Sequence, residues 1–388
     1  MSWHPDIPLQ LTDAAGALWQ VRRAWPEKSA GEYSVEVVPR PAPASPGFET
    51  PPDAPAAKRG RAAAGVRAGH VRHGMFSLVP LADPRLPSLA AAAAGGEVVV
   101  HRAHKRAVVH AGDRYIKVLR PGYGLRVAES HASAADVLAG GFFDTPRLLA
   151  SGSDVVVFSS IPGRSYLELG QDHTTVTEAG YAAMWGAWSR AWVTAARAAP
   201  GRALRTTAVA LPEHPAGAEV DTLRRWTGHW LTHSDGIPEA SQARAALLAQ
   251  RDHAVGLLVS SRPDPPAWAH GDLHDKQLLS SGGPGAPGLV DFDGSCIAEP
   301  ALDLANLDVH LELRRLQHRL TVRRYRIAHG HILAVAEQLR VSPERFAAYA
   351  AATRVRLACL YAFRPPWGPD AGDYLVRVRT LSESYYVM

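Results

Sequence analysis

A chain of 388 residues with 46% hydrophobic and 20% charged residues is long enough for two or three packed units and too apolar to be disordered throughout. Its 42 Lys and Arg against 37 Asp and Glu leave a net charge of +5, with no concentrated basic block, which argues against a nucleic-acid or membrane partner. The two cysteines, Cys296 and Cys359, lack metal-ligand spacing, and the N-terminus has neither a basic start nor an apolar run, so a reduced, cytoplasmic setting is expected.

Residues 1–90 read as a β-rich extension. Strand-like runs at 18–25 and 33–38 flank a polar turn, a Pro/Ala/Gly-rich linker is expected over about 39–65, and strand character returns at 75–81. Residues 91–163 carry three short β runs, 97–102, 106–110 and 114–119, joined by tight turns. An Ala-rich segment at 126–138 has apolar residues at helical spacing, and the buried-looking strand 155–158 closes at Ile161-Pro-Gly163. From 164 to 388 the pattern is mainly helical, with periodic stretches at 174–198, 218–233, 239–259, 301–339 and 343–363, broken by a loop-and-hairpin block at 263–300. Trp185, Trp188 and Trp192 share a helical face and read as core. The arginine-rich run from Arg314 to Arg326 reads as an exposed helix face.

The chemistry concentrates in the loop block. His270-Gly-Asp272-Leu-His-Asp-Lys-Gln277 is followed, after a Gly/Pro turn, by an apolar strand ending in Asp291-Phe-Asp293. Asp272 is placed to accept a hydrogen bond from an incoming hydroxyl, while Gln277 offers an amide oxygen and Asp291 a carboxylate, hard donors suited to Mg2+. Asp293 is a further ligand or a support for one. His270 is expected to hold the loop rather than transfer protons. Only five residues are lysine (Lys28, Lys58, Lys105, Lys117 and Lys276) against 37 arginines, so a lysine here is informative.

These segments, with Pro300-Ala-Leu-Asp303-Leu-Ala, resemble the signature of the aminoglycoside phosphotransferase and choline kinase-like family. The resemblance implies an α+β, protein kinase-like two-lobe fold: an ATP-binding lobe at 91–163, a helical lobe at 164–388, and the β-rich extension at 1–90. It implies Asp272 as catalytic base, Gln277 and Asp291 as magnesium ligands, and Asp303 as a brace for the catalytic loop. By position, Lys117 steadies the nucleotide phosphates, Glu129 is its ion-pair partner, and Ser159, Ser160 and Ile161 form the hinge that meets adenine. The family usually has Asn where this chain has Gln277. No Gly-rich phosphate loop is present; His104 and Lys105 occupy the first hairpin in its place and are candidate phosphate contacts.

The expected activity is ATP- and Mg2+-dependent phosphorylation of a hydroxyl on a small molecule, a sugar, amino sugar or aminoglycoside-like compound. The alternatives are a peptide or protein Ser/Thr kinase using the same centre, and a nucleotide-binding pseudo-kinase. Near balance of charge over 164–388 leaves the acceptor open, and the sequence carries no signal for oligomeric state.

Overall fold

The computed structural model describes residues 5–40, 65–206, 211–282 and 285–365, with side chains beyond 198 in the segment ending at 206 left aside. Most of the expected 39–65 linker therefore lies outside the described residues.

The chain opens with strands β1 (Gln10–Thr12), β2 (Leu18–Pro26), β3 (Glu32–Pro39), β4 (Arg67–Arg72) and β5 (Met75–Leu78), which form one antiparallel sheet in sequential order. β3 is the central strand and is buried on both faces from Tyr33 to Val37, so even Glu36 is enclosed. Strand β4 has no counterpart in the sequence reading: Arg67-Ala-Gly-His-Val-Arg carries a single large apolar residue. It is held by pairing with β3, and a side chain at Gly69 would collide with Phe76 of β5.

A short helix, α1 (Leu89–Ala94), leads into β6 (Glu97–Arg102), β7 (Arg106–Ala111) and β8 (Arg114–Leu119). After α2 (Gly124–Leu138) come β9 (Leu148–Ser151) and β10 (Val155–Ser159), completing a second sheet in the order β6-β7-β8-β10-β9. Its own core gathers Leu86, Leu89, Val98, Val109 and Val118. The first sheet is different, because Trp19, Val21, Tyr33, Val35 and Val37 belong to the same continuous core as the helical part of the chain.

The chain then crosses through β11 (Arg164–Ser165) into the helices α3 (Tyr166–Gln171), α4 (Glu178–Thr206), α5 (Ala216–His233) and α6 (Ser241–Ser260). Ser165 and Glu168 form a reciprocal capping box that starts α3. On α4, Trp185, Trp188 and Trp192 are buried, and Trp192 stands 5.8 Å from the ring of Trp268. Trp268 lies on β12 (Ala267–Ala269), which is followed by β13 (Leu278–Ser280), β14 (Gly288–Leu289) and β15 (Cys296–Ala298). β12 pairs with β15 and β13 with β14, so the loop 270–277 and the segment from Val290 to Ser295 leave neighbouring strand ends.

The final helices are α7 (Ala301–Leu316), α8 (Val322–Gln338) and α9 (Pro343–Tyr361). The periodic stretch expected over 301–339 is thus two helices. His318 takes a left-handed conformation (φ 56°), and the Thr321 side chain accepts from Arg324 N to start α8, neither signalled by Gly or Pro. The arginine-rich run is not a uniformly exposed face either. Arg314 and Arg324 are 2% and 1% exposed. Arg324 donates to the carbonyls of Leu169, Gly170 and Asp172 at the end of α3 and pairs with Glu178, and such saturation of a guanidinium makes its burial tolerable.

The first sheet also touches both other parts. Trp25 of β2 lies between Arg102 of β6 and Arg364 beyond α9, whose guanidinium carbons stand 5.1 and 4.7 Å from its ring. Ala24 N donates to the Phe363 carbonyl (3.2 Å), and His101 N donates to Glu36 (3.1 Å). No helix among the described residues is long and apolar enough to cross a membrane.

Candidate active site

The loop 270–277 is fixed from below by α7. Asp303 accepts the backbone N–H groups of His270 (2.6 Å) and Gly271 (3.0 Å), Asn306 donates to the Leu273 carbonyl (2.8 Å), and Arg314 grips Asp275 with two bonds of 2.9 and 3.2 Å. Burial pushes the Asp303 carboxyl above its ordinary range despite those donors. Burial acts against the Arg314 charge too, but Asp275 outweighs it and raises the pKa. His270 is fully buried and donates through Nε2 to the Val290 carbonyl (3.0 Å), tying the loop to the strand-end segment. Gly271 is required here: it sits at φ 82°, and a Cβ would overlap the Gly294 carbonyl oxygen.

Asp272, between these anchors, is exposed and makes no hydrogen bond or ion pair among the described residues. Its neighbours are held by hydrogen bonds while its carboxylate is open to solvent.

Asp291 follows β14 in a left-handed conformation (φ 71°, ψ 64°), costly for a residue with a Cβ and a sign that the surroundings hold it. Lys117, from the middle of β8 in the second sheet, donates to Asp291 (2.8 Å) and to Asp293 (2.7 Å). Burial works to raise the Asp291 pKa, yet Lys117 and then Arg106 override it and hold the carboxyl well below the usual range. For Lys117 burial lowers the pKa and the two carboxylates more than reverse it. Gln277 is 5% exposed, and its side-chain oxygen is buried with no hydrogen-bond partner, while its backbone carbonyl accepts from Val290 N (3.1 Å) next to Asp291.

An unpartnered amide oxygen in the interior costs free energy unless something electropositive meets it. By donor type, that oxygen and the Asp291 and Asp293 carboxylates suit a hard divalent cation. Among the described residues no group of three or more His, Cys, Asp and Glu side chains could hold a metal ion.

Several sequence expectations need correction. Glu129 is exposed on α2 and makes no ion pair among the described residues; Lys117 turns to Asp291 and Asp293 instead. The residues of α2 that face the site are Ser130, which donates to the Phe292 carbonyl (2.7 Å), and His131, whose ring lies 5.3 Å from Phe292. His104 is not presented to the cleft, because Asp83 of the extension takes its ring nitrogen (2.9 Å) and His70 stacks on it at 5.3 Å. Lys105 is exposed, and the charges that act on it are those of Arg102 of β6, Glu27 of the extension and Arg120 just past β8. At the crossing, the N–H groups of Ser159 and Ser160 donate to the carbonyls of Arg147 (2.9 Å) and Asp113 (2.7 Å), so only Ile161 keeps an N–H without a partner among the described residues. The Ile161 side chain packs over Gly288, where a Cβ would come within 2.8 Å of its Cδ1.

Arg106 was missed by the sequence reading. It stands 3.7 Å from Asp293, and its only sequence signal is its place at the start of the second strand of this sheet. Asp275 and Arg314 were likewise missed, since their pairing joins residues far apart in the chain.

A family model described as a phosphotransferase enzyme family matches residues 92–330. No curated protein matches the chain. Among solved structures the chain is similar to a glucosamine kinase in complex with glucosamine, ADP and inorganic phosphate (16% identity, 99% of this chain and 96% of that one, TM-score 0.47). It is also similar to an aminoglycoside phosphotransferase from Streptomyces rimosus (15% identity, 70% and 96%, TM-score 0.45). A third likeness is to a choline/ethanolamine kinase family protein from Mesorhizobium loti (18% identity, 78% and 95%, TM-score 0.44).

Proposed function

The chain belongs to the phosphotransferase enzyme family and transfers phosphoryl groups to a hydroxyl acceptor, and on that premise we propose that it is an ATP- and Mg2+-dependent kinase of a sugar, amino sugar or aminoglycoside-like compound. One observation carries this reading: Lys117 reaches from the second sheet to Asp291 and Asp293, which follow the loop that carries the exposed Asp272 and the buried, unpartnered Gln277 oxygen.

In this reading residues 91–163 hold the nucleotide and 164–388 the acceptor. Asp291, Asp293 and Gln277 would hold Mg2+, which supplies neutralisation of phosphate charge. Lys117 then turns from the carboxylates to the phosphate oxygens, and the Ile161 N–H is the hinge donor left for adenine. Asp272 orients the acceptor hydroxyl and takes its proton as the acceptor oxygen bonds to the γ-phosphorus. The bond to the β–γ bridging oxygen breaks at the same time, and ADP leaves with the electron pair. Asp303, Asn306 and Arg314 keep the loop rigid, so that orientation is established before the reaction begins.

The test is ADP formation from Mg-ATP over a panel of neutral sugars, amino sugars, aminoglycosides and Ser/Thr peptides. Acceptor-dependent turnover with one of the small molecules supports the proposal. Turnover with peptides alone would favour a protein kinase, and nucleotide binding with no acceptor a pseudo-kinase.

A further inference from the structure

We propose that Arg106 is a phosphate-binding residue of the nucleotide site, standing where a glycine-rich loop would otherwise supply backbone donors. The inference rests on the kinase reading and adds to it a residue that the resemblance did not supply.

The geometry is specific. Arg106 begins β7 opposite Leu119 of β8, two residues beyond Lys117. Its Nη1 stands 3.7 Å from Asp293 Oδ2 while Lys117 Nζ is 2.7 Å from Oδ1 of the same carboxylate. Two cations from adjacent strands therefore bracket one acidic group. Lys117 is nearly enclosed, but the Arg106 side chain is 42% exposed, so it can follow a ligand entering the cleft.

The rest of the first hairpin cannot do this work. His104 is committed to Asp83. Lys105 is exposed, and Arg102, Glu27 and Arg120 are the charges that act on it. The turn has no glycine, and the Lys105 N–H already donates to the Arg102 carbonyl (3.0 Å). Arg106 is the hairpin cation left facing Asp293. A guanidinium binds phosphate oxygens through two parallel N–H bonds, and its charge cannot be titrated away near neutral pH. Once Asp291 and Asp293 face a cation, both Lys117 and Arg106 need new anionic partners, and the terminal phosphates supply them.

The test is calorimetric binding of ATP, ADP and AMP, each with Mg2+, to the full chain and to Arg106→Gln and Arg106→Lys. Loss of a charge-assisted bond should weaken ATP and ADP binding by about tenfold or more in Arg106→Gln, with partial recovery in Arg106→Lys and AMP little affected. Equal weakening of all three nucleotides, or unchanged ATP affinity, would overturn the assignment. If the unaltered chain binds none of them, the kinase reading itself fails, whereas binding by the unaltered chain and by Arg106→Gln alike sinks only the role of Arg106.

Discussion

Asp303, inside α7, holds the loop ahead of Asp272 by accepting the His270 N–H at 2.6 Å, with its second oxygen on the Gly271 N–H. The helix that follows the Asp291–Asp293 segment thereby fixes the loop before that segment. Replacing Asp303 by Ala leaves two enclosed N–H groups unpaired, each costing about 1–3 kcal/mol. Asp303→Ala is expected to lower the urea midpoint and turnover together, with Asp303→Asn intermediate because one acceptor remains. A wild-type midpoint and rate in Asp303→Ala would contradict this role.

Gln277 tests the proposed metal site from a different side. Its unpartnered oxygen implies that Gln277→Leu folds at least as well as the parent yet raises the Mg2+ concentration needed for half-maximal nucleotide binding by about tenfold. Gln277→Asn keeps the oxygen but withdraws it by one methylene, so it should fall between the two. A Mg2+ titration that does not shift in Gln277→Leu would remove this residue from the donor set.

Trp25 links the extension to both lobes through Arg102 and Arg364. Truncation to Ala at this buried position should cost about 3–5 kcal/mol. Because the first sheet shares its core with the helices, denaturant should unfold both in one transition. A Trp25→Ala variant with unchanged stability would argue against this link, and a wild-type chain that loses the extension in a separate early step would argue against a shared core.

The His329–Asp308 pair (2.7 Å) joins α8 to α7. Burial lowers the His329 pKa, but the Asp308 hydrogen bond and charge reverse this and raise it above 6.5. A raised histidine pKa stabilises fully below the unfolded value near 6.5 and loses that contribution as pH rises through the folded value. The melting temperature should therefore fall more between pH 6 and 8 in the parent than in His329→Gln, and parallel profiles would show that the pair contributes nothing.

The three-strand run 97–119 was legible because its alternation and tight turns are local signals, and Lys117 stood out in a chain that otherwise uses arginine. The loop at 270–277 and the strand end at Asp291 were legible for the same reason: they are contiguous, and turn and strand chemistry fixes them nearby. Contacts across long separations were not. Which face of α2 meets the site depends on Phe292, and that face carries Ser130 and His131 rather than Glu129. The orientation of His104 depends on Asp83, in a segment whose sequence says nothing of where it docks. Arg314 carries no local signal that separates it from a surface arginine, because its partner Asp275 lies 39 residues earlier in the chain.

The most direct measurement is turnover of Asp272→Ala alongside its Mg-ATP affinity, with an acceptor that the unaltered enzyme phosphorylates. If Asp272 orients the hydroxyl and takes its proton as proposed, its loss should reduce turnover roughly a hundred- to ten-thousandfold while the nucleotide dissociation constant stays close to that of the parent. Wild-type turnover in Asp272→Ala would contradict the assignment of the catalytic centre.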